Sequence, residues 1–178
     1  MAAPGRLSLK ARALKLLAQR EHSRTELRRK LLPHAVAFCE AQQTAANDAA
    51  ALTGGASTAS AETPHQCLDK LLDWLEVHRY LSEERFVESR VHARASRFGN
   101  MRIKLELAQH GLAVNADTAA QLKASELERA RALWQRRFGG PAEDAAGRAK
   151  QMRFLAGRGF SGETIRRVVS GAGEDDCG

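Results

Sequence analysis

The sequence contains few aromatic residues and no long apolar run. Aromatic side chains make up 5% of its 178 residues, which is too few for the core of a large β-sandwich. Leu and Ala supply most of the apolar side chains and Arg most of the charge, and all three favour helices. No run approaches the roughly 20 apolar residues that span a bilayer, and residues 1–10 lack the apolar stretch of a secretory signal. We therefore expect an all-α protein that does not contact a membrane.

Cysteine is scarce, and the motifs of metal and nucleotide sites are missing. Cys39, Cys67 and Cys177 show no CxxC spacing, which indicates reduced thiols and a cytoplasmic location. The histidines form no HExxH motif, and no His–Cys pairing has the spacing of a zinc site. A GxxxxGK[ST] phosphate loop is also absent. We therefore expect no metal, no cofactor and no catalytic residues, and the chain is not expected to be an enzyme.

Residues 157–162 spell GxGxxG, the pattern of a dinucleotide-binding loop. That loop follows a β-strand and needs an acidic residue about 20 positions later on a second strand. Here an amphipathic helical pattern precedes the glycines. We expect a tight turn between two helices instead, with Phe160 packed against Ile165 around an N-cap at Ser161.

Apolar residues recur with the period of a helix along most of the chain. Ser23 and Glu26 form a capping box that starts a helix, and Pro33 is expected to end it. Residues 35–63 contain no Lys or Arg, and we expect a flexible insertion at about 43–62. Gly111 is expected at the left-handed C′ position of a later helix, with Leu112 folding back. Further helices are predicted at about 64–81, 82–97, 101–110, 115–138, 142–156 and 161–169.

The chain repeats itself. Residues 11–31 align with residues 149–169 in their basic, apolar and capping positions, and a weaker copy surrounds Gly99. Such repeats indicate one helical unit stacked along an axis. The predicted fold is a set of tandem three-helix repeats that form an elongated right-handed helical solenoid. Its repeats are predicted at 1–81 with the insertion, at 82–124, and at 125–178 with a disordered tail.

Basic residues recur after the predicted helix caps, and the formal net charge is +7. A basic surface suits a polyanion such as nucleic acid. For any single residue a solvated helix face is the simpler explanation, but for the recurring set we favour binding. The predicted filament- or nucleic-acid-binding residues are Arg20, Arg24, Arg28, Arg29, Lys30, Arg94, Arg97, Arg102, Lys104, Arg158, Arg166 and Arg167.

Five segments, in this order, resemble the RecX regulatory family, and the likeness covers nearly the whole chain outside the insertion. The sequence departs from the family pattern in that insertion, and also at Asn100-Met101, where a Pro-Leu-like pair is more usual. Neither departure removes a basic residue. The segments are Ala13-Leu14 through Leu17, Ser23 through Leu31, Leu81 through Phe86, Arg102 through Leu107 with Gly111, and Phe154-Leu155 with Arg158 through Ser161.

The resemblance implies three tandem three-helix repeats and binding to the RecA–DNA filament. It also implies inhibition of the ATPase, strand-exchange and coprotease activities of RecA, together with weaker, salt-dependent binding to single- or double-stranded DNA. We expect a monomer. The alternative is a sequence-nonspecific DNA-binding protein made of tandem helix-turn-helix-like units. Against it, the chain lacks a helix rich in the Asn, Gln and Arg side chains that read base edges.

Overall fold

The computed structural model describes residues 7–53 and 62–171, which form eight α-helices and contain no β-strand. This confirms the all-α prediction. None of the helices in this part of the chain is long and apolar enough to cross a membrane. The helices are α1 Leu9–Leu17, α2 Arg24–Thr53, α3 Pro64–Val77, α4 Glu83–Ala95, α5 Asn100–Ala108, α6 Ala116–Phe138, α7 Ala145–Gly157 and α8 Gly162–Val169.

The first of two compact units ends at Phe86. Its core is a leucine cluster from α1, α2 and α3, and apolar burial of this kind is the main source of its stability. The helices start where the sequence predicts. The Ser23 Oγ accepts the Glu26 N–H at 3.1 Å, and Thr63 with Gln66 forms a complete capping box ahead of Pro64. The cluster consists of Leu9, Leu27, Leu31, Leu68, Leu72, Leu75 and Leu81, with Ala13 and Ala35.

Pro33 does not end a helix, so that prediction was wrong. It lies exposed inside α2, which continues to Thr53. Leu31, Ala35 and Cys39 are all buried and follow one another at intervals of four, which places them on one face of the helix. We infer that packing of this face outweighs the single backbone hydrogen bond that a proline removes.

The insertion expected at about 43–62 also needs correction. The backbone is helical as far as Thr53, because the Ala-rich segment favours helix once α2 has passed Pro33. Residues 54–61, which make up most of the rest of the expected linker, lie outside the described residues. The disordered tail expected at the C-terminus likewise falls mainly on residues 172–178, outside the described part.

The second unit begins at Val87 and contains α5 to α8. Its core confirms the expected packing of Phe160 with Ile165, and the Ser161 Oγ caps α8 by accepting the Thr164 N–H at 3.3 Å. Gly159 has a φ of +79° in the turn before α8. The GxGxxG segment is therefore a helix–turn–helix connection. The core residues are Ala130, Leu133, Trp134, Leu155, Phe160, Ile165, Val168 and Val169.

A single helix, α6, crosses residues 124 and 125, where a boundary between repeats is predicted. It starts at an Asn115 cap and ends at Gly139, whose φ is +75°. Both ends were predicted. Gly111 also has the predicted left-handed φ of +75°, and the Leu112 N–H folds back onto the Leu107 carbonyl at 3.1 Å.

Candidate nucleic-acid interface

Two of the predicted binding residues in the first unit hold α2 against α3. The Arg24 guanidinium donates to Asp73 at 2.6 Å and to Glu76 at 2.7 Å, and Arg28 lies 3.1 Å from Asp69. The hydrogen bond to Glu76 raises the pKa of Arg24, although burial opposes it. These two arginines are therefore neutralised within the molecule, and the structure gives them a role in helix packing.

The Glu26 carboxylate pairs with two further predicted binding residues, Arg20 and Lys30. It accepts hydrogen bonds from Arg20, and the Lys30 Nζ lies 4.0 Å away. Glu26 is buried, which disfavours its charge, but the hydrogen bonds from Arg20 and the electrostatic interaction with His22 lower its pKa below the usual value. Arg29 alone among the predicted first-unit residues is exposed without an ion pair among the described residues.

We expect Arg24→Glu to destabilise the first unit by about 1–2 kcal/mol, because it places a carboxylate among Asp69, Asp73 and Glu76 in place of their shared cation. Urea unfolding followed by circular dichroism measures the change. Arg29→Glu is the matched control: it makes the same charge change on the same helix and should shift stability by less than about 0.5 kcal/mol. Equal losses for the two variants would contradict the packing role of Arg24.

In the second unit the predicted cations converge on one aromatic ring. The guanidinium carbons of Arg94, Arg102 and Arg158 lie 5.6, 6.0 and 5.6 Å from the centroid of Phe98. We call these four residues the Phe98 cluster. Arg94 is paired with Glu106 at 2.9 Å, whereas Arg102 and Arg158 have no carboxylate partner among the described residues. The cluster therefore presents uncompensated positive charge.

Two glycines bring the helices of the Phe98 cluster together. The Gly99 N–H donates to the Arg158 carbonyl at 2.9 Å, and the Met101 N–H donates to the Gly159 carbonyl at 3.1 Å. A Cβ on Gly99 would lie 2.2 Å from the Gly159 oxygen, and one on Gly159 would lie 2.5 Å from the Arg102 Cβ. The backbones can approach this closely only because both residues are glycine.

Two polar residues of α6, Arg129 and Glu126, fix the backbone beneath the cluster. Arg129 donates to the carbonyls of Ala95 and Phe98 at 2.8 and 2.9 Å, and burial lowers its pKa. Glu126 accepts from the Asn100 N–H and from the Ser161 hydroxyl, both at 2.9 Å. Because Glu126 is buried and bonded in this way, it does not neutralise the surface arginines.

Sequence reasoning missed two arginines beside the cluster. Arg136 and Arg137 line a cavity of about 320 Å³ together with Arg158, Phe154 and Leu133, and Arg158 also stacks on Phe154 at 5.2 Å. They occupy the last turn of α6, where basic residues also suit the helix dipole. The adjacent pair Arg136-Arg137 was the available signal, but nothing local in the sequence places it next to Arg158.

The remaining predicted residues lie elsewhere on the second unit. Lys104 and Arg167 line a groove of about 960 Å³ that also involves Met101 and Lys123. Arg166 is exposed on α8, and Arg97 is exposed beside Phe98, with its carbonyl 3.5 Å from an Arg158 nitrogen.

Exposed or half-buried arginines without carboxylate partners suit the phosphates of a nucleic-acid backbone, and a half-buried aromatic ring among them is typical of sites that hold single strands. We call Arg97, Arg102, Arg136, Arg137 and Arg158 the arginine surface. Among the described residues no group of three or more His, Cys, Asp or Glu side chains could hold a metal ion.

Comparison with known proteins gives matches to RecX over most of the chain. The family model of the RecX second three-helix domain matches residues 82–116, and that of the third three-helix domain matches residues 124–169. "Regulatory protein RecX" of Ralstonia nicotianae is 47% identical over 168 residues, which cover 93% of this chain and 89% of that protein.

Other bacterial relatives cover as much of the chain. The protein of the same name from Herbaspirillum seropedicae is 45% identical over 172 residues, covering 96% of this chain and 94% of that protein. The one from Pseudomonas putida is 38% identical over 175 residues, covering 96% and 94% of the two chains.

Proposed function

The chain belongs to the RecX family of regulatory proteins, and we propose that it binds the filament that RecA forms on DNA and restrains the activities of RecA. The family consists of regulators, and the chain is not an enzyme. The three repeats are proposed at 1–81, 82–124 and 125–178. We further propose that the protein acts as a cytoplasmic monomer and binds DNA directly with lower, salt-dependent affinity.

The arginine surface is the observation that carries this proposal. Its arginines come from the segment after α4, from α5, from the end of α6 and from the residue after α7, and they have no carboxylate partner among the described residues. A filament of RecA on DNA is a long polyanion, and cations of this kind follow its phosphates. The first unit contributes less charge than its sequence suggests, because Arg20, Arg24 and Arg28 are already paired.

The test is the ATPase activity of RecA on single-stranded DNA as this chain is added. We expect the rate to fall with increasing chain, because a filament-bound regulator slows or disassembles the active filament. Adding excess DNA distinguishes the two candidate functions. Inhibition that persists in excess DNA indicates action on RecA. If excess DNA fully restores the rate, the chain only competes for DNA, and the alternative of a sequence-nonspecific DNA-binding protein is correct.

A further inference from the structure

Three helices end in the same backbone motif, and one of them lacks the glycine that the motif favours. After α3, α5 and α7 the C″ and C′ N–H groups fold back onto the last turn: Tyr80 to Leu75, Leu112 to Leu107 and Phe160 to Leu155, at 2.9–3.3 Å. This Schellman arrangement needs a left-handed residue at C′.

Glycine occupies the C′ position after α5 and α7, as Gly111 and Gly159, whereas Arg79 occupies it after α3 with a φ of 59°. A side chain in this region is strained by its own Cβ, and glycine is not.

No side-chain contact within the described part of the chain requires the strained conformation of Arg79. Its side chain is exposed and makes no hydrogen bond or ion pair among the described residues. Only its backbone is used: the Arg79 N–H donates to the Glu76 carbonyl at 2.9 Å, and the Arg79 carbonyl accepts from Arg85 at 3.1 Å. Glycine would provide the same two backbone groups. Backbone strain that no internal contact requires points to a contact with another molecule.

Aromatic rings lie nearly parallel beside Arg79. Trp74 stacks on His78 with centroids 4.0 Å apart and on Tyr80 at 5.7 Å, with interplanar angles of 25° and 18°. The Lys10 ammonium sits 3.4 Å from the Trp74 centroid. Tyr80 is 49% exposed, whereas Phe160, at the C″ position after α7, is 3% exposed. Tyr80 therefore offers a ring to solvent where the turn after α7 buries one.

Several carboxylates of the first unit are already bonded within the molecule. Asp73 and Glu76 are bonded to Arg24, and Glu21 is bonded to Arg85 at 2.8 Å. Glu83 and Glu84 are exposed in the first turn of α4. Their charge disfavours close approach of several phosphates and favours contact through an unpaired base, because every base has a face that stacks on an aromatic ring.

We propose that the turn 77–80 is a stacking surface for single-stranded nucleic acid: an unpaired base lies on Tyr80, and Arg79 and Lys10 contact the adjoining phosphate. This surface belongs to the first unit and is separate from the arginine surface of the second. It deepens the proposed function, since it rests on nucleic-acid binding by this chain and adds a preference for unpaired bases.

Trp74 allows the contact to be measured directly. In a Trp134→Phe background Trp74 is the sole tryptophan, and we expect an oligothymidine to quench its emission. Tyr80→Ala should weaken binding to that oligonucleotide by about tenfold, and Tyr80→Phe should retain it. Affinity for duplex DNA should be unchanged in both variants, because paired bases cannot stack on Tyr80. Circular dichroism and thermal unfolding check that each variant is folded.

Arg79 provides a second test that does not depend on removing a ring. Arg79→Gly should relieve the strain and raise the unfolding midpoint by about 1–4 °C, while weakening oligothymidine binding severalfold. Arg79→Lys, the matched control, keeps both the charge and the strain. It should retain affinity without the gain in stability.

The results separate this proposal from the proposed function. If Tyr80→Ala binds oligothymidine like the parent, the stacking surface is wrong, whether or not RecA is still inhibited. If Tyr80→Ala loses inhibition of RecA but keeps oligothymidine binding, the turn contacts protein, and the nucleic-acid proposal is likewise overturned. Loss of oligothymidine binding together with unchanged duplex binding supports it.

Discussion

Gly99→Ala should lower the free energy of unfolding of the second unit by about 3 kcal/mol. The added Cβ would lie 2.2 Å from the Gly159 oxygen and 2.3 Å from the Phe160 nitrogen. Both are backbone atoms, so no flexible side chain can move aside. The two chain segments must separate, which also breaks the bond from Gly99 to the Arg158 carbonyl. The φ of Gly99 is −76°, so the effect comes from the lost approach and not from backbone strain.

Gly157→Ala is the matched control for this prediction. It makes the same chemical change near the end of α7, where a new Cβ would have no neighbour within 4 Å, and it should be neutral or stabilise by about 0.5–1 kcal/mol. Urea unfolding of both variants in a Trp74→Phe background, followed by the fluorescence of Trp134 in the second unit, measures the difference. If Gly99→Ala unfolds at the same urea concentration as Gly157→Ala, the close glycine contact does not exist in solution.

The features that the sequence predicted well are those decided within a few residues. A capping side chain lies about three positions from the N–H group that it binds, as at Ser23 and Ser161, and a glycine such as Gly111 needs only its own left-handed conformation. Pro33 was misjudged because its local cost is outweighed by burial of Ala35 and Cys39. Nothing local in the sequence shows that this face is buried.

The candidate site shows the same difference between features decided within a few residues and features decided by distant contacts. Arg24 and Arg28 stand out in the sequence as an exposed basic face, but their partners Asp69, Asp73 and Glu76 lie more than forty residues later, on α3. Arg102 and Arg158 were each predicted as binding residues. They meet at Phe98 because Gly99 approaches Gly159 closely, and the helical periodicity of the sequence does not predict that contact.

Removing the charge of Arg97, Arg102 and Arg158 together, as a triple Gln variant, should weaken binding to single-stranded DNA by about 10–100-fold near 0.1 M salt. Three fewer phosphate contacts should also flatten the dependence of log affinity on log salt by about 2 units. We expect inhibition of the RecA ATPase to fall with the affinity. Glutamine keeps side-chain length and polarity without adding repulsion, so the result reports lost contacts.

A control for net charge is essential, because any loss of three cations weakens attraction to a polyanion at long range. Lys15, Lys123 and Lys150 are exposed and form no ion pair among the described residues, so their triple Gln variant lowers net charge by the same three units. Screening limits the effect of such scattered charges, and we expect a loss of severalfold at most. If the two triples weaken binding and flatten the salt dependence equally, the overall charge of the protein is sufficient to explain binding. The arginine surface would then have no special role.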